Sequence, residues 1–317
     1  MALTIGVDIG GTKVAAGVVD DDGTIVARAR RDTPSTDAAA TLDTIVEVIL
    51  ELADKHQVSA VGLGAAGFID AERSTVLFAP NLSWGDTPLR DQIAERVELP
   101  VVVENDANAA AWAEYRFGAG VGETHVVCVT LGTGIGGGIV LDGRLYRGRF
   151  GIAGEFGHTR VVPNGLRCGC GNKGCWEMYA SGNALVREAR ELANSASPMA
   201  QRLLELADGD PERITGPVVT QAARDGDPAS VELLEEVGQW LGAGLASLAC
   251  TLDPGCFIVG GGVSAAGDLL LVPAQAAFHR SLSGRGHRPE AQLRLAALGN
   301  EAGLVGAADL ARHPGQR

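Results

Sequence analysis

Aromatic side chains are scarce, at 4% of the 317 residues. So few rings cannot build a stacking platform for single-stranded nucleic acid. Positive charge is short as well: Lys and Arg number 26 against 39 Asp and Glu, a net charge of −13. Polyanions such as DNA, RNA or an anionic membrane face would be repelled. An acidic chain can still hold nucleotide phosphates where backbone N–H groups and a metal ion supply the positive field. No run of 18 apolar residues occurs, so no membrane span is expected. The start, Met1 to Asp8, lacks a charged stretch ahead of a long apolar one, and no signal peptide is expected. Cysteine is limited to six residues. Cys128, Cys250 and Cys256 sit in apolar runs and read as small core residues, a usage that suits a reducing cytosol. A cytoplasmic protein is the expectation.

Glycine, by contrast, is plentiful, with 44 residues in clusters that suggest ligand loops rather than disorder, and 46% hydrophobic residues suffice for a sizeable core. The length suggests two domains or one large one. Leu3 to Asp8, Val14 to Val19 and Ile25 to Arg30 read as three strands of an antiparallel meander. Asp37 to Lys55 reads as a helix, because Leu42, Ile45, Val46, Ile49, Leu50 and Ala53 recur at helical spacing. A strand over Val58–Gly64, a helix over Thr87–Val97 and a strand over Val101–Glu104 complete a βββαβαβ lobe, and a helix over Ala109–Phe117 follows. A similar plan restarts with strands over His125–Leu131 and Ile135–Leu141. Ala184–Leu206 and Thr220–Leu252 read as mostly helical, Cys256–Val259 and Leu293–Ala297 as strands, and Gly303–Ala311 as a terminal helix.

The densest chemistry lies between His158 and Glu177. Cys168, Cys170 and Cys175 fall within eight residues, among Gly169, Gly171 and Gly174. Three thiolates and one imidazole make a complete tetrahedral zinc shell, with the glycines letting the backbone wrap round an ion. The alternative is a loop with incidental or disulfide-bonded cysteines. Glu155 precedes this segment and Glu177 closes it, so the loop would fold two carboxylates into one place.

Glycine turns occur three times next to strands. Asp8-Ile9-Gly10-Gly11-Thr12-Lys13 joins two strands and could cradle a phosphate on its backbone N–H groups, or be a plain hairpin turn. It is not a P-loop, since Thr12-Lys13 replaces the Lys-Ser/Thr pair and no helix follows. Gly132, Gly134 and Gly137 form a formal G-x-G-x-x-G, yet Ile139-Val140-Leu141 continues as strand where a dinucleotide fingerprint opens a helix. A second phosphate clamp fits better, with a Cβ at Gly11 or Gly134 expected to intrude where backbone meets phosphate. Gly260-Gly261-Gly262 ends a third strand. Glu104-Asn105-Asp106-Ala107-Asn108 ends an apolar strand and enters a helix. A carboxylate there faces the ligand crevice of an α/β lobe and can accept a hydroxyl proton. The same residues would also serve as a plain helix N-cap.

These motifs together resemble the ROK family of sugar kinases and repressors, within the actin-like ATPase superfamily. The resemblance covers nearly the whole chain, and within the family it is nearest to bacterial ATP-dependent kinases of glucose. It implies a duplicated two-lobe α/β fold of actin-like (ribonuclease H-like) type with a structural zinc loop. A small lobe over 1–108, completed by the C-terminal helix at about 300–317, would join a large lobe over 109–299 with the zinc motif at 158–175. The resemblance implies ATP, Mg²⁺ and structural Zn²⁺ as cofactors and a hexose, glucose first, phosphorylated at its 6-hydroxyl. Asp106 would be the base. Asn81, Asn105, Asp106, Glu155, His158 and Glu177 would hold the sugar. Asp8 would face Mg²⁺, while Gly10, Gly11, Thr12, Lys13, Thr133 and Gly134 would line the phosphates and Gly261 and Gly262 the adenosine. His158, Cys168, Cys170 and Cys175 would hold the zinc. N-acetylglucosamine, N-acetylmannosamine, mannose and fructose present similar hydroxyls, and polyphosphate is an alternative donor. A homodimer or homotetramer is implied. A sugar-responsive repressor on this scaffold needs an added N-terminal DNA-binding domain, whereas the first strand is expected from residue 3.

Overall fold

The computed structural model describes residues 2–79 and 81–313. The chain divides into two compact units, one comprising Met1–Cys128, Gly137–Gly154 and Ala297–Arg317, the other Val129–Gly136 and Glu155–Ala296. Residue 108, the expected boundary, lies inside helix α3 (Asp106–Phe117) of the first unit. Residues 314–317 of the expected C-terminal completion lie outside the described residues.

In the first unit β1 (Leu3–Ile9), β2 (Lys13–Val19) and β3 (Ile25–Asp32) form the meander. Then α1 (Ala38–Ala53), capped by the Asp37 carboxylate on the N–H groups of Ala39 and Ala40, leads to β4 (Val58–Ala65). Three short strands follow, β5 (Phe68–Ile69), β6 (Val76–Ala79) and β7 (Trp84–Thr87), which make a small sheet of their own with no counterpart in the sequence expectations. Helix α2 (Leu89–Val97), strand β8 (Val101–Asn105) and α3 come next. The main sheet runs β3-β2-β1-β4-β8, with β4 parallel to both β1 and β8.

Side chains on a strand alternate between faces. Ile5, Val7 and Ile9 of β1 and Val61, Leu63 and Ala65 of β4 join one buried core with Ile45 and Ile49 of α1. Gly6 and Gly62 therefore point the other way, and there the C-terminal helix α10 (Ala302–Arg312) lies against the strands so closely that a Cβ on either glycine would collide with the backbone of Leu304 or Ala307. Buried Asp309 of α10 accepts from Trp112 Nε1 of α3 at 2.8 Å and pairs with Arg312 at 2.8 Å. The last helix is thus part of the first unit's core.

The second sheet runs β11-β10-β9-β12-β13, from β9 (Val126–Leu131), β10 (Ile135–Leu141), β11 (Arg144–Leu145), β12 (Cys256–Gly260) and β13 (Gln292–Leu295). Its order repeats that of the first: three consecutive strands laid outward from the first, then the next two on its other side. The helices of the second unit are α4 (Glu177–Ala180), α5 (Gly182–Asn194), α6 (Gln201–Leu206), α7 (Gly216–Arg224), α8 (Pro228–Leu252) and α9 (Asp268–Ser281). The two long helices expected from sequence are each broken. Between α5 and α6 the left-handed Ala196 and the Ser197 cap before Pro198 stop the helix. Between α7 and α8 stands Gly226 at φ +88°, and Asp227 caps a new helix that opens on Pro228.

Candidate functional site

Parallel pairing sets the first half of the site. Asp8, Gly64 and Glu104 share one row across β1, β4 and β8, and Ile9, Ala65 and Asn105 the next. All are at the carboxyl ends of parallel strands, where α/β sheets present ligands. Asp106 opens α3 one residue further on. The surface of Gly64 reaches Asp106: a Cβ there would sit 3.8 Å from its Cα. A Cβ on Gly303 of α10 would sit 3.5 Å from Asp8 Oδ1 and 4.0 Å from the Asp106 carbonyl oxygen. Gly64 and Gly303 thus border the ends of the chain that carry the two carboxylates.

Burial raises the Asp8 carboxyl to about 6, with the neighbouring Asp106 charge adding to it and Lys13 opposing it. Asp106 is raised too, chiefly by burial, while the N–H of Ala107, its own N–H and the Asn105 side chain hold it back. Asn105 does two things. Its Oδ1 accepts the Asn108 N–H at 2.9 Å, the helix cap, and its Nδ2 donates to Asp106 Oδ1 at 3.1 Å and to the Gly67 carbonyl at 3.1 Å. Asn105 thus caps α3 and holds the Asp106 carboxylate with the same amide.

The Gly10–Lys13 turn closes through the Gly10 N–H on the Lys13 carbonyl at 3.0 Å. Thr33 ties it down, with Oγ1 on the Gly10 carbonyl at 2.8 Å and its N–H on the Thr12 carbonyl at 3.1 Å. Thr12 is exposed. Asn81 stands beside this turn, since a Cβ on Gly11 would meet its Cβ and carbonyl oxygen at 3.4 Å.

The second unit holds the other predicted residues. His158 ends a short 3₁₀ turn, Phe156–His158, directly after exposed Glu155. The ligand atoms of His158, Cys168, Cys170 and Cys175 all lie within 4.8 Å of one another. Cys170 and Cys175 sulfurs are 3.6 Å apart, and Cys168 Sγ is 3.6 Å from His158 Nδ1. Sulfurs bound at 2.3 Å in a tetrahedron stand about 3.7 Å apart, so the donor set and its spacing suit a four-coordinate metal ion. The Asn172 N–H draws the Cys170 thiol down to about 7, while burial pushes Cys168 and Cys175 up.

Glu177 sits at the junction of the metal cluster and the second glycine turn. Its Oε1 lies 3.0 Å from Cys168 Sγ and 3.6 Å from His158 Nδ1. Its Oε2 occupies the place where a Cβ on Gly134 would stand. The absence of a side chain at Gly134 therefore makes room for Glu177, a neighbour that the sequence expectation did not include. Trp176, buried, fixes the start of α4 by donating Nε1 to the Trp240 carbonyl of α8 at 2.9 Å. The turn itself closes through the Gly132 N–H on the Gly134 carbonyl at 3.0 Å, leaves Thr133 exposed, and leads straight into β10, a strand. Gly261, at φ +82°, packs on Leu131, where a Cβ would come within 2.5 Å of its carbonyl oxygen, so Gly261 and Gly262 lie beside the Thr133 turn.

Two neighbours of the site, Arg73 and Arg147, carry no sequence signal, and Glu104 carries only its place in a motif. Glu104 is buried and pairs with Arg73 Nε at 3.0 Å and Arg147 Nε at 2.9 Å. Glu104 stands inside the quoted motif, but its burial was not readable, and the arginines stand far off in sequence on unremarkable turns.

The chain is similar to known proteins along nearly its whole length. The glucokinase of Streptomyces coelicolor is 55% identical over 314 residues, covering 99% of each chain. The crystal structure of a ROK family glucokinase from Streptomyces griseus in complex with glucose and AMPPNP superposes with a TM-score of 0.91 at 57% identity, over 98% of this chain and 100% of that one. The ROK hexokinase of Thermus thermophilus does so at 0.82 and 36% identity, over 98% of each. The ROK family pattern itself matches residues 4–313, and the chain belongs to that family.

Proposed function

We propose that this protein transfers the terminal phosphoryl group of ATP to the 6-hydroxyl of glucose. The observation that carries the chemistry is Asp106, a carboxylate at a strand's carboxyl end, oriented by Asn105 and raised by burial above an ordinary carboxyl. A raised carboxyl is the better base toward a hydroxyl. Asp106 takes the proton of the sugar's primary hydroxyl as that oxygen bonds to phosphorus and the bond to the departing ADP oxygen breaks. Positioning and charge neutralisation do most of the work in such a transfer. Asp8, a hard oxygen ligand, would hold Mg²⁺, which when bound offsets phosphate charge. Gly10, Gly11, Thr12, Lys13, Thr133 and Gly134 serve the phosphates, and Gly261 and Gly262 the adenosine. Asn81, Asn105, Glu155, His158 and Glu177 hold the sugar. His158 Nδ1 and the three cysteine sulfurs suit Zn²⁺, which would leave the other nitrogen of His158 for a sugar hydroxyl. Two lobes, the first closed by the C-terminal helix, and a homo-oligomeric, cytoplasmic enzyme belong to the same reading.

The test is a panel of glucose, mannose, fructose, N-acetylglucosamine and N-acetylmannosamine, each with ATP and with polyphosphate. Glucose with ATP should give the highest kcat/KM, and failure to phosphorylate any hexose would sink the reading. Asp106→Asn should lower kcat by roughly 10²–10⁴-fold with glucose binding retained. Near-normal turnover would remove Asp106 from its role.

A further inference from the structure

The buried ion cluster behind the base has no part in the chemistry described so far. Glu104 is 1% exposed; its Oε1 is hydrogen-bonded, while its Oε2 has ion-pair neighbours but no hydrogen-bond partner among the described residues. Its Oε1 accepts the Asn105 N–H at 3.0 Å, Asn108 Nδ2 at 3.1 Å and Arg147 Nε at 3.0 Å. Its Oε2 faces Arg73 Nε at 3.0 Å and Arg147 Nε at 2.9 Å. The two arginines differ in what else they do. Arg73 Nη1 and Nη2 are buried and reach no hydrogen-bond partner among the described residues. Arg147 donates Nη1–H to the Ala71 carbonyl at 3.0 Å and Nη2–H to the Asp70 carbonyl at 2.9 Å. Those carbonyls belong to the turn after β5, and that turn is stiff: Asp70 accepts from the N–H groups of Ser74 and Thr75 and from the Ser74 hydroxyl.

We propose that Arg147 is a positioning residue for Asp106, acting through Glu104 and Asn105. Its planar fork binds the β5–β6 turn at one end and Glu104 at the other, a geometry that a single ammonium could not reproduce. Glu104 in turn fixes the backbone of Asn105 and the side chain of Asn108, one at the cap and one in the first turn of α3. Asn105, fixed there and on the Gly67 carbonyl just before β5, holds Asp106 Oδ1. Thus the β5 hairpin and the helix that begins with the base are one clamped unit. The two carbonyl contacts distinguish Arg147 from Arg73, whose guanidinium pairs with Glu104 through Nε and makes no hydrogen bond to the described residues through its other two nitrogens.

This inference rests on Asp106 being the base, and the experiment separates the two. Arg147→Met keeps the aliphatic stem and leaves Glu104 paired with Arg73, whereas removal of Glu104 would strand two buried guanidinium groups. Steady-state kinetics are measured for the wild type, Arg147→Met, Asp106→Asn and the double variant. Displacing a reacting group by about an ångström costs on the order of a hundredfold. Arg147→Met should therefore lower kcat tenfold to a hundredfold with the KM for ATP unchanged. In the Asp106→Asn background the same change should lower the residual kcat less than twofold, because the group being positioned is already inert. Should Arg147→Met not fold, the cycle is run with Arg147→Lys, which keeps the charge and loses both carbonyl contacts. Equal losses in both backgrounds, or wild-type kcat in the Arg147 variant, overturn the positioning role. Near-normal kcat in Asp106→Asn alone overturns the base instead.

Discussion

At the scale of single residues the proposed function gives two neighbouring carboxylates different tasks. Asp8 and Asp106 share one small space, and the Asp106 charge makes Asp8 harder to ionise. For Asp8 the folded carboxyl sits at about 6 instead of 3.8. The sign follows directly. Below about 6 the ligand-free protein holds a proton on Asp8, and a metal ligand must be deprotonated to bind. Protons and Mg²⁺ therefore compete through a range where an ordinary aspartate would already be ionised. The Mg²⁺ concentration for half-maximal activity should be nearly constant above pH 7 and should rise by about tenfold per pH unit below pH 6, as one-for-one competition requires. Asp8→Asn should lower activity at every pH and abolish that dependence in what remains. A Mg²⁺ requirement that stays flat from pH 7 to pH 5 would show that Asp8 does not hold the ion.

At the scale of elements, helix α3 joins stability to chemistry through its cap. Asn105 Oδ1 serves the helix and Asn105 Nδ2 serves the base. A serine can cap but cannot reach Asp106 with an amide. Asn105→Ala should cost about 1 kcal/mol of stability and lower kcat, whereas Asn105→Ser should restore most of the stability and none of the kcat. Thermal unfolding and turnover measured on both variants test this, and recovery of kcat by serine would reduce Asn105 to a cap. The ease of reading elements from sequence followed their hydrophobic period. Strands β1, β4 and β9 and helix α1 carry dense apolar patterns and stand where the pattern puts them, within a few residues. The β5–β7 sheet was illegible because its strands are two to four residues long and carry turn residues such as Gly85 and Asp86, the latter left-handed at φ +48°. Residues 268–281 carried no helical expectation because Pro273 stands inside α9. The His158, Cys168, Cys170 and Cys175 cluster was legible because metal ligation needs fixed residue types at short spacing. Arg73 and Arg147 were not, because a buried ion cluster is assembled by topology from residues 31 and 43 positions away from Glu104 in the chain.

At the scale of the whole molecule, one strand order is used twice, and each unit carries its own share of the chemistry. The carboxylates Asp8 and Asp106 belong to the first unit, the metal cluster and Glu177 to the second. Glu177 makes the second share a single body, since it touches Cys168 and His158 with one oxygen and fills the space over Gly134 with the other. Metal loss should therefore reach the nucleotide turn as well as the sugar residues. The far end of the loop is held independently by Trp176 on α8, so α4 should keep its place while His158 and the Glu177 carboxylate lose theirs. Cys168→Ser should release zinc and abolish glucose binding. AMPPNP binding should weaken, because the Glu177 carboxylate no longer fills the space over Gly134, but should survive. Zinc content, with calorimetric titrations of glucose and of AMPPNP on the same preparation, measures all three. A zinc-free variant that binds glucose normally would separate the metal from the sugar. Unchanged AMPPNP affinity would show instead that Glu177 holds the Gly134 turn open without the metal.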